Sequence, residues 1–231
     1  MNFDWSFLAS QSVAPRLLSG LATTLELFVT SWVGGLLVAF VVVGLRAIPF
    51  PPLGWIMRIF VEYHRNVPTV VQIMVWYFGV PEVLPDPIRQ WINQNQSEFA
   101  FAAIALSLNV SAYFSEDVRS GLRAIPKTQL EAARAIGLSA FSAMRYVTVP
   151  QAVRIAVPPL LNRTLILFKD TSLAMVIGVA EMTYQVKAIE NLTFRSLEVF
   201  ATATIAYLAL SLTIMGLGAW FGKRFPPTFK A

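Results

Sequence analysis

Residues 21–45 are twenty-five consecutive positions with one ionisable side chain, Glu26. A helix needs about 20 mostly apolar residues to cross the hydrocarbon of a bilayer, so the segment predicts a membrane span. The composition agrees: the chain is 56% apolar and 13% charged, with mean hydropathy +0.60. An ordinary soluble domain carries about 25% charged residues, so this chain lacks the charge to cover a soluble globule. It has no Cys and a single His, His64. That excludes a disulfide framework, a Cys-based metal site and a thiol nucleophile, and argues against a His-built metal site or a conventional triad.

By the same measure, spans fall at about 59–80, 99–118, 153–179 and 199–222, which makes five within one all-α domain covering 1–231. The second carries Glu62, His64 and Arg65 in its first turns, and the breaker run Pro49, Pro51, Pro52 separates it from the first. The fourth is interrupted near 169–172, where Lys169 and Asp170 stand in apolar surroundings. Such a break is tolerated in a membrane only where the freed backbone is buried in protein or lines a wet cavity. Residues 81–98 read as a polar loop. Residues 1–20, with Asp4 and Leu17, read as an interfacial helix and not as a cleaved signal peptide.

The segments 46–65, 119–154 and 223–231, including Lys230, hold twelve of the eighteen Lys and Arg residues. Cytoplasmic loops of membrane proteins are enriched in these residues. With five spans the three segments share one side, which places the C-terminus in the cytoplasm and the N-terminus, the 81–98 loop and a 180–198 loop outside. Because the basic residues sit at span ends, they report topology, not a nucleic-acid surface.

The cytoplasmic segment 119–152 is patterned. Thr128-Gln-Leu-Glu131 after Pro126 reads as a capping box that starts a helix. Gly137 suits its C-terminal end, and Ser139 suits the cap of a second short helix running to the breaker Pro150. Ala132, Ala133 and Ala135 leave the first helix thin enough for another protein's backbone to approach.

At these residues the chain resembles a known family. Glu131-Ala132-Ala133, then Gly137, then Val147-Thr-Val149-Pro150 matches the EAA loop of ABC importer permeases, E-A-A-x3-G-x9-I-x-L-P, with Val in place of Ile and of Leu. Ala112-Tyr113-Phe-Ser-Glu116, Arg65-Asn66-Val67-Pro68 and Lys169-Asp170-Thr171-Ser172-Leu173 resemble its polar amino acid uptake branch. The resemblance implies a type I importer permease fold with an EAA coupling helix between the third and fourth spans, in a bacterial inner membrane. It also implies a second permease subunit, two cytoplasmic ATPases that hold ATP and Mg, and a periplasmic binding protein that delivers the amino acid. This chain itself would bind no cofactor or metal and would not be an enzyme; it has no glycine-rich phosphate loop. Glu131, Ala132, Ala133, Arg134 and Gly137 would form the ATPase-coupling element, although Glu131 has an alternative role as a cap of its own helix.

Ionisable groups inside a span are functional candidates by default. Seven residues make nearly two helical turns, so Arg163 and Asp170 share a face, as do Asn162 and Lys169. With Thr171 and Ser172 they form a wet lining for an amino acid; the alternative is an internal Arg163–Asp170 ion pair. Arg163 and Lys169 against Asp170 leave one surplus positive charge, which favours glutamate or aspartate over glutamine or a basic amino acid. His64 and Arg65 near the inner end of the second span are gate candidates or headgroup anchors. A passive channel or structural membrane subunit is the competing class, and it has no need of a capped cytoplasmic helix.

Overall fold

The computed structural model describes residues 5–95 and 97–224, and every regular element among them is a helix. Asp4 and Lys230 lie outside the described residues. Among the described residues, three helices are long and apolar enough to cross a membrane unaided: α1 (Ala14–Ala47), α5 (Glu98–Arg123) and α10 (Ser196–Arg224). The other two expected spans are assembled from shorter pieces. One combines α2 (Pro51–Asn66) with α3 (Thr69–Met74), which runs on through a π-turn at Val75–Gly79. The other joins α8 (Val149–Asp170) to a 3-10 segment, Thr171–Ile177. The change of helix type falls between Asp170 and Thr171, inside the interruption that the sequence predicts.

The centre of the bundle is α5, whose buried residues Phe101, Ala102, Ala105, Leu106 and Phe114 meet Leu27 of α1, Ile73 of α3 and Leu167 of α8. Close approach is obtained with glycine. A Cβ on Gly35 of α1 would stand 2.3 Å from Val110 Cγ1 and 3.3 Å from the Ser107 carbonyl oxygen of α5. A Cβ on Gly121 of α5 would stand 2.6 Å from the Ala152 carbonyl oxygen of α8. Without hydrocarbon-driven association, van der Waals packing holds membrane helices together, and small residues bring the backbones into contact.

Several sequence expectations are corrected. The first span starts at Ala14, not 21, so residues 14–20 continue α1 and do not form a separate interfacial helix. Val13, Leu17 and Leu21 are held there against α9 (Met182–Thr193), a helix inside the expected 180–198 loop whose Met182, Val186 and Ile189 are buried with Val199 of α10. The 81–98 loop likewise contains α4 (Asp86–Gln94). Pro51 and Pro52 start α2 instead of merely ending what precedes it, since the first turn needs no N–H there. The second span is not continuous: Pro68 forces Val67 into extended backbone (φ −93°, ψ 131°), which ends α2 at Asn66.

The 119–152 segment also differs from the capping-box reading. Helix α6 (Lys127–Ala135) begins directly after Pro126, with no side-chain cap, so Thr128 lies within its first turn. Its end is as expected. Gly137 adopts φ +92°, its N–H reaches the Arg134 carbonyl at 3.0 Å, and Leu138 N–H reaches the Ala133 carbonyl at 3.2 Å, the paired bonds of a Schellman motif. Ser139 Oγ accepts the Ser142 N–H at 3.1 Å and caps α7 (Ala140–Ala143). Pro150 breaks nothing. The backbone stays helical from α7 through a π-turn at Met144–Thr148 into α8, whose first turn accommodates the proline.

Candidate functional site

The break between α2 and α3 frees carbonyls that must find donors. Gln72 Nε2 donates to the carbonyls of His64 (3.0 Å) and Val67 (2.8 Å), Asn109 Nδ2 donates to that of His64 (2.9 Å), and Tyr113 OH donates to that of Arg65 (3.1 Å). The His64 ring closes the set at 2.6 Å from Gln72 Oε1, packed edge-on against Phe60 and Tyr63. His64 is therefore buried in a polar clamp that fixes the angle between α2 and α3. This exposes no gate-like imidazole.

Beside the clamp lies a cavity of about 110 Å³ between α3, α5 and α8, lined by Thr69, Asn109, Tyr113, Arg163, Ile166 and Asp170 among others. Arg163 and Asp170 do share it, as their spacing predicts, but they are not each other's partners. The Arg163 guanidinium lies 4.3 Å from the centre of the Tyr113 ring, and its Nε is 3.9 Å from Asp117 Oδ2. Asp170 Oδ2 accepts from the Thr69 hydroxyl at 3.3 Å. Arg65 reaches the same ring from further away, at 5.6 Å, and its charge also acts on Asp117. The cleft is thus lined by one cation and one carboxylate, Arg163 and Asp170, with Arg65 and Asp117 near it, and the other cation of the fourth span lies elsewhere.

It lies on the other flank of α8. Lys169 and Ser172 line a second hollow, of about 240 Å³, with Thr183 of α9 and Tyr207, Leu208 and Ser211 of α10. Lys169 is exposed and has no ion pair among the described residues. Behind the hollow, Glu181 is fully buried; it caps α9 by accepting the N–H groups of Thr183 and Tyr184, and it also accepts the Tyr207 hydroxyl at 2.9 Å. Of the remaining predicted lining residues, Asn162 is exposed away from both cavities, and Thr171 is buried with its hydroxyl donated to the Phe168 carbonyl.

Toward the C-terminal end of α5, Glu116 is paired with Arg46 of α1 and, at 3.3 Å, with Arg123. The helix that follows carries the EAA residues. Glu131, Ala132 and Arg134 are exposed, while Ala133 is 4% exposed and turned inward, so it packs the element and is unavailable to a partner. Beside them Ile136, Phe141 and Tyr146 are 81%, 72% and 67% exposed, an apolar patch that the sequence pattern does not single out. Also unforeseen are the lining roles of Asn109 and Tyr113. With Asp117 they recur every four residues on one face of an otherwise apolar helix, and that spacing was the available signal.

Residues 33–226 match the family of binding-protein-dependent transport system inner membrane components. Among curated relatives, the glutamine transport system permease protein GlnP of Escherichia coli K12 is 36% identical over 218 residues, covering 93% of this chain and 94% of that protein. The glutamate/aspartate import permease protein GltJ of the same strain is 31% identical over 227 residues, covering 93% and 92%. Among solved structures, that of an amino acid ABC transporter with histidines superposes with a TM-score of 0.83 at 30% identity, over 97% of this chain and all of the other.

Proposed function

The chain belongs to the inner membrane components of binding-protein-dependent transport systems and is a permease subunit of an amino-acid ABC importer, and we propose that its solute is an acidic amino acid. The observation that carries the choice of solute is Lys169. Arg163 and Asp170 line one cavity together, whereas Lys169 is the only charged side chain lining the other and makes no ion pair among the described residues. Glutamate and aspartate carry one net negative charge, glutamine none, and arginine one positive. An exposed ammonium lining the hollow favours the first pair and repels the last. Glutamine is the second reading, favoured by the higher identity to the glutamine permease, 36% against 31%.

In this reading the protein crosses the bacterial inner membrane five times, with its N-terminus periplasmic and its C-terminus cytoplasmic. It pairs with a second permease subunit, receives its solute from a periplasmic binding protein, and takes its drive from two cytoplasmic ATPases, which bind and hydrolyse the ATP. Glu131, Ala132 and Arg134, together with the exposed Ile136, Phe141 and Tyr146, form the face that meets the ATPase. The apolar patch supplies contact area and the charges supply register, the division of labour usual at protein interfaces. Competitive uptake in proteoliposomes containing the whole importer tests the solute. Glutamate and aspartate are expected to displace each other, and uptake that responds to arginine or glutamine alone overturns the acidic assignment.

A further inference from the structure

The end of the bundle where α1 and α5 stop gathers four arginines. Glu116, Arg119 and Arg123 stand three and four residues apart in the last two turns of α5 and so share one face. Arg46, in the last turn of α1, pairs with Glu116, as Arg123 does at 3.3 Å. Arg119 is half-buried beside them, within reach of the charges of Arg46, Arg123 and Arg58 of α2. The four guanidinium groups converge on one carboxylate, because Asp117 is turned to Arg163, and Glu62, one turn beyond Arg58, accepts from Asn66 at 3.0 Å. Arg58 and Arg119 form no ion pair among the described residues. Like charges held this close repel one another, the more so where protein excludes water, and an anion between them removes that cost.

Two observations identify the anion. All four cations are arginine. Lysine would serve equally well to mark one side of a membrane, whereas the guanidinium fork matches paired phosphate oxygens. The outer face of α2 next to Arg58 is apolar. Trp55, Ile59 and Tyr63 recur there every four residues and are exposed, while Met57, Phe60 and Val61 on the opposite face pack with Val42 and Ala112. A phosphate held beside an exposed apolar stripe with a tryptophan in it belongs to a lipid, not to a soluble ion. We propose that Arg46, Arg58, Arg119 and Arg123 bind the phosphate of an anionic phospholipid whose acyl chains run along Trp55 and Ile59 of α2. The bound lipid fastens α2 to the ends of α1 and α5.

Titration of the purified importer complex in non-ionic detergent with dioleoylphosphatidylglycerol, followed by native mass spectrometry, tests the site. Arg58→Gln, an exposed change that decides the matter on its own, is expected to weaken binding roughly fivefold, and Arg58→Gln with Arg119→Gln roughly 25-fold. Arg119→Lys keeps the charge but loses the fork, so its affinity should fall between those of the natural chain and Arg119→Gln. Thermal midpoints check that each variant is assembled. Lys223→Gln with Arg224→Gln removes two exposed charges from the end of α10 and should leave the affinity unchanged. An equal loss in that control shows diffuse attraction to basic helix ends and overturns the site, as does unchanged affinity in Arg58→Gln. Dioleoylphosphatidylcholine, whose headgroup has no net charge, should bind about tenfold more weakly; binding as tight as that of the glycerol lipid overturns the proposal. Displacement of the lipid by millimolar inorganic phosphate overturns it too, since the cluster would then hold a free anion.

Discussion

Replacing Gly35 with Ala tests the packing on which the bundle depends. The new methyl would lie 2.3 Å from Val110 Cγ1 and 3.3 Å from the Ser107 carbonyl oxygen. Real carbon contacts lie near 3.5–4.0 Å, so at least one partner must move by more than 1 Å. Val110 has few ways to yield, because a β-branched side chain on a helix is nearly confined to one rotamer. The strain passes to the α1–α5 separation and costs about 1–3 kcal/mol, the usual penalty for overpacking a filled site. Gly44→Ala, further along the same helix in space empty to 4 Å, is the control. It should be neutral or stabilising by about 0.5–1 kcal/mol, because alanine is the better helix former. Val110→Ala removes the obstructing methyl, so Gly35→Ala with Val110→Ala should be less damaging than the sum of the two single changes, with a coupling of about 1–2 kcal/mol. Thermal unfolding of all four variants in one detergent, followed by near-ultraviolet circular dichroism, gives the cycle. Equal effects at Gly35 and Gly44, or strict additivity with Val110→Ala, would show that the close contact does not hold these helices.

Three further outcomes follow from the site. Glu131→Lys, an exposed change expected to alter stability by no more than about 0.5 kcal/mol, should lower uptake by about tenfold, a coupling loss of ~1.4 kcal/mol; reconstituted transport with the melting temperature as control decides it. Gln72→Leu leaves the His64 and Val67 carbonyls short of a donor and should destabilise the protein by about 1–3 kcal/mol, while Gln72→Glu, which keeps one acceptor but loses the amide donors, should not restore it; both are read by thermal unfolding. Arg163→Gln leaves the half-buried Asp117 carboxylate only the Arg65 charge, so it should cost more than the double change Arg163→Gln with Asp117→Asn, with a difference of about 1 kcal/mol if the pair is real.

Single-helix arithmetic succeeded where the signal lay within one helix. The run at 21–45 marked α1, the Lys169–Asp170 interruption marked the change to 3-10 helix, and a seven-residue spacing placed Arg163 and Asp170 at one cavity. It failed where the partner came from another segment. Asp117 of α5 balances Arg163, and no periodicity in α8 reports it. The same arithmetic put Lys169 on a face beside that of Arg163 and Asp170 in one common lining, whereas α9 and α10 build it a hollow of its own. The break at Pro68 was missed because an extended residue inside a membrane is tolerated only with outside donors, and Gln72, Asn109 and Tyr113 reveal themselves as such only in three dimensions. Helix α9 was hidden by its polar composition, since only a thin stripe of Met182, Val186 and Ile189 is apolar.

The absence of a break at Pro150 has a mechanical consequence. From Ala140 to Asp170 the backbone is one helical rod, roughly 46 Å long at 1.5 Å per residue. It bears against α5 at the Gly121–Ala152 contact, where neither backbone has room to slide past the other. That contact divides the rod as a fulcrum divides a lever. The arm toward the exposed Phe141 is about 17 Å and the arm toward Asp170 about 27 Å. A push of about 2 Å at the Phe141 end would then sweep Lys169 and Asp170 through about 3 Å in the opposite direction, shifting both charges at once, each within its own cavity. Pro158 and Pro159 lie on the longer arm, where their missing N–H groups make the rod compliant between the pivot and the charges, as the π-turn at Met144–Thr148 does on the shorter arm.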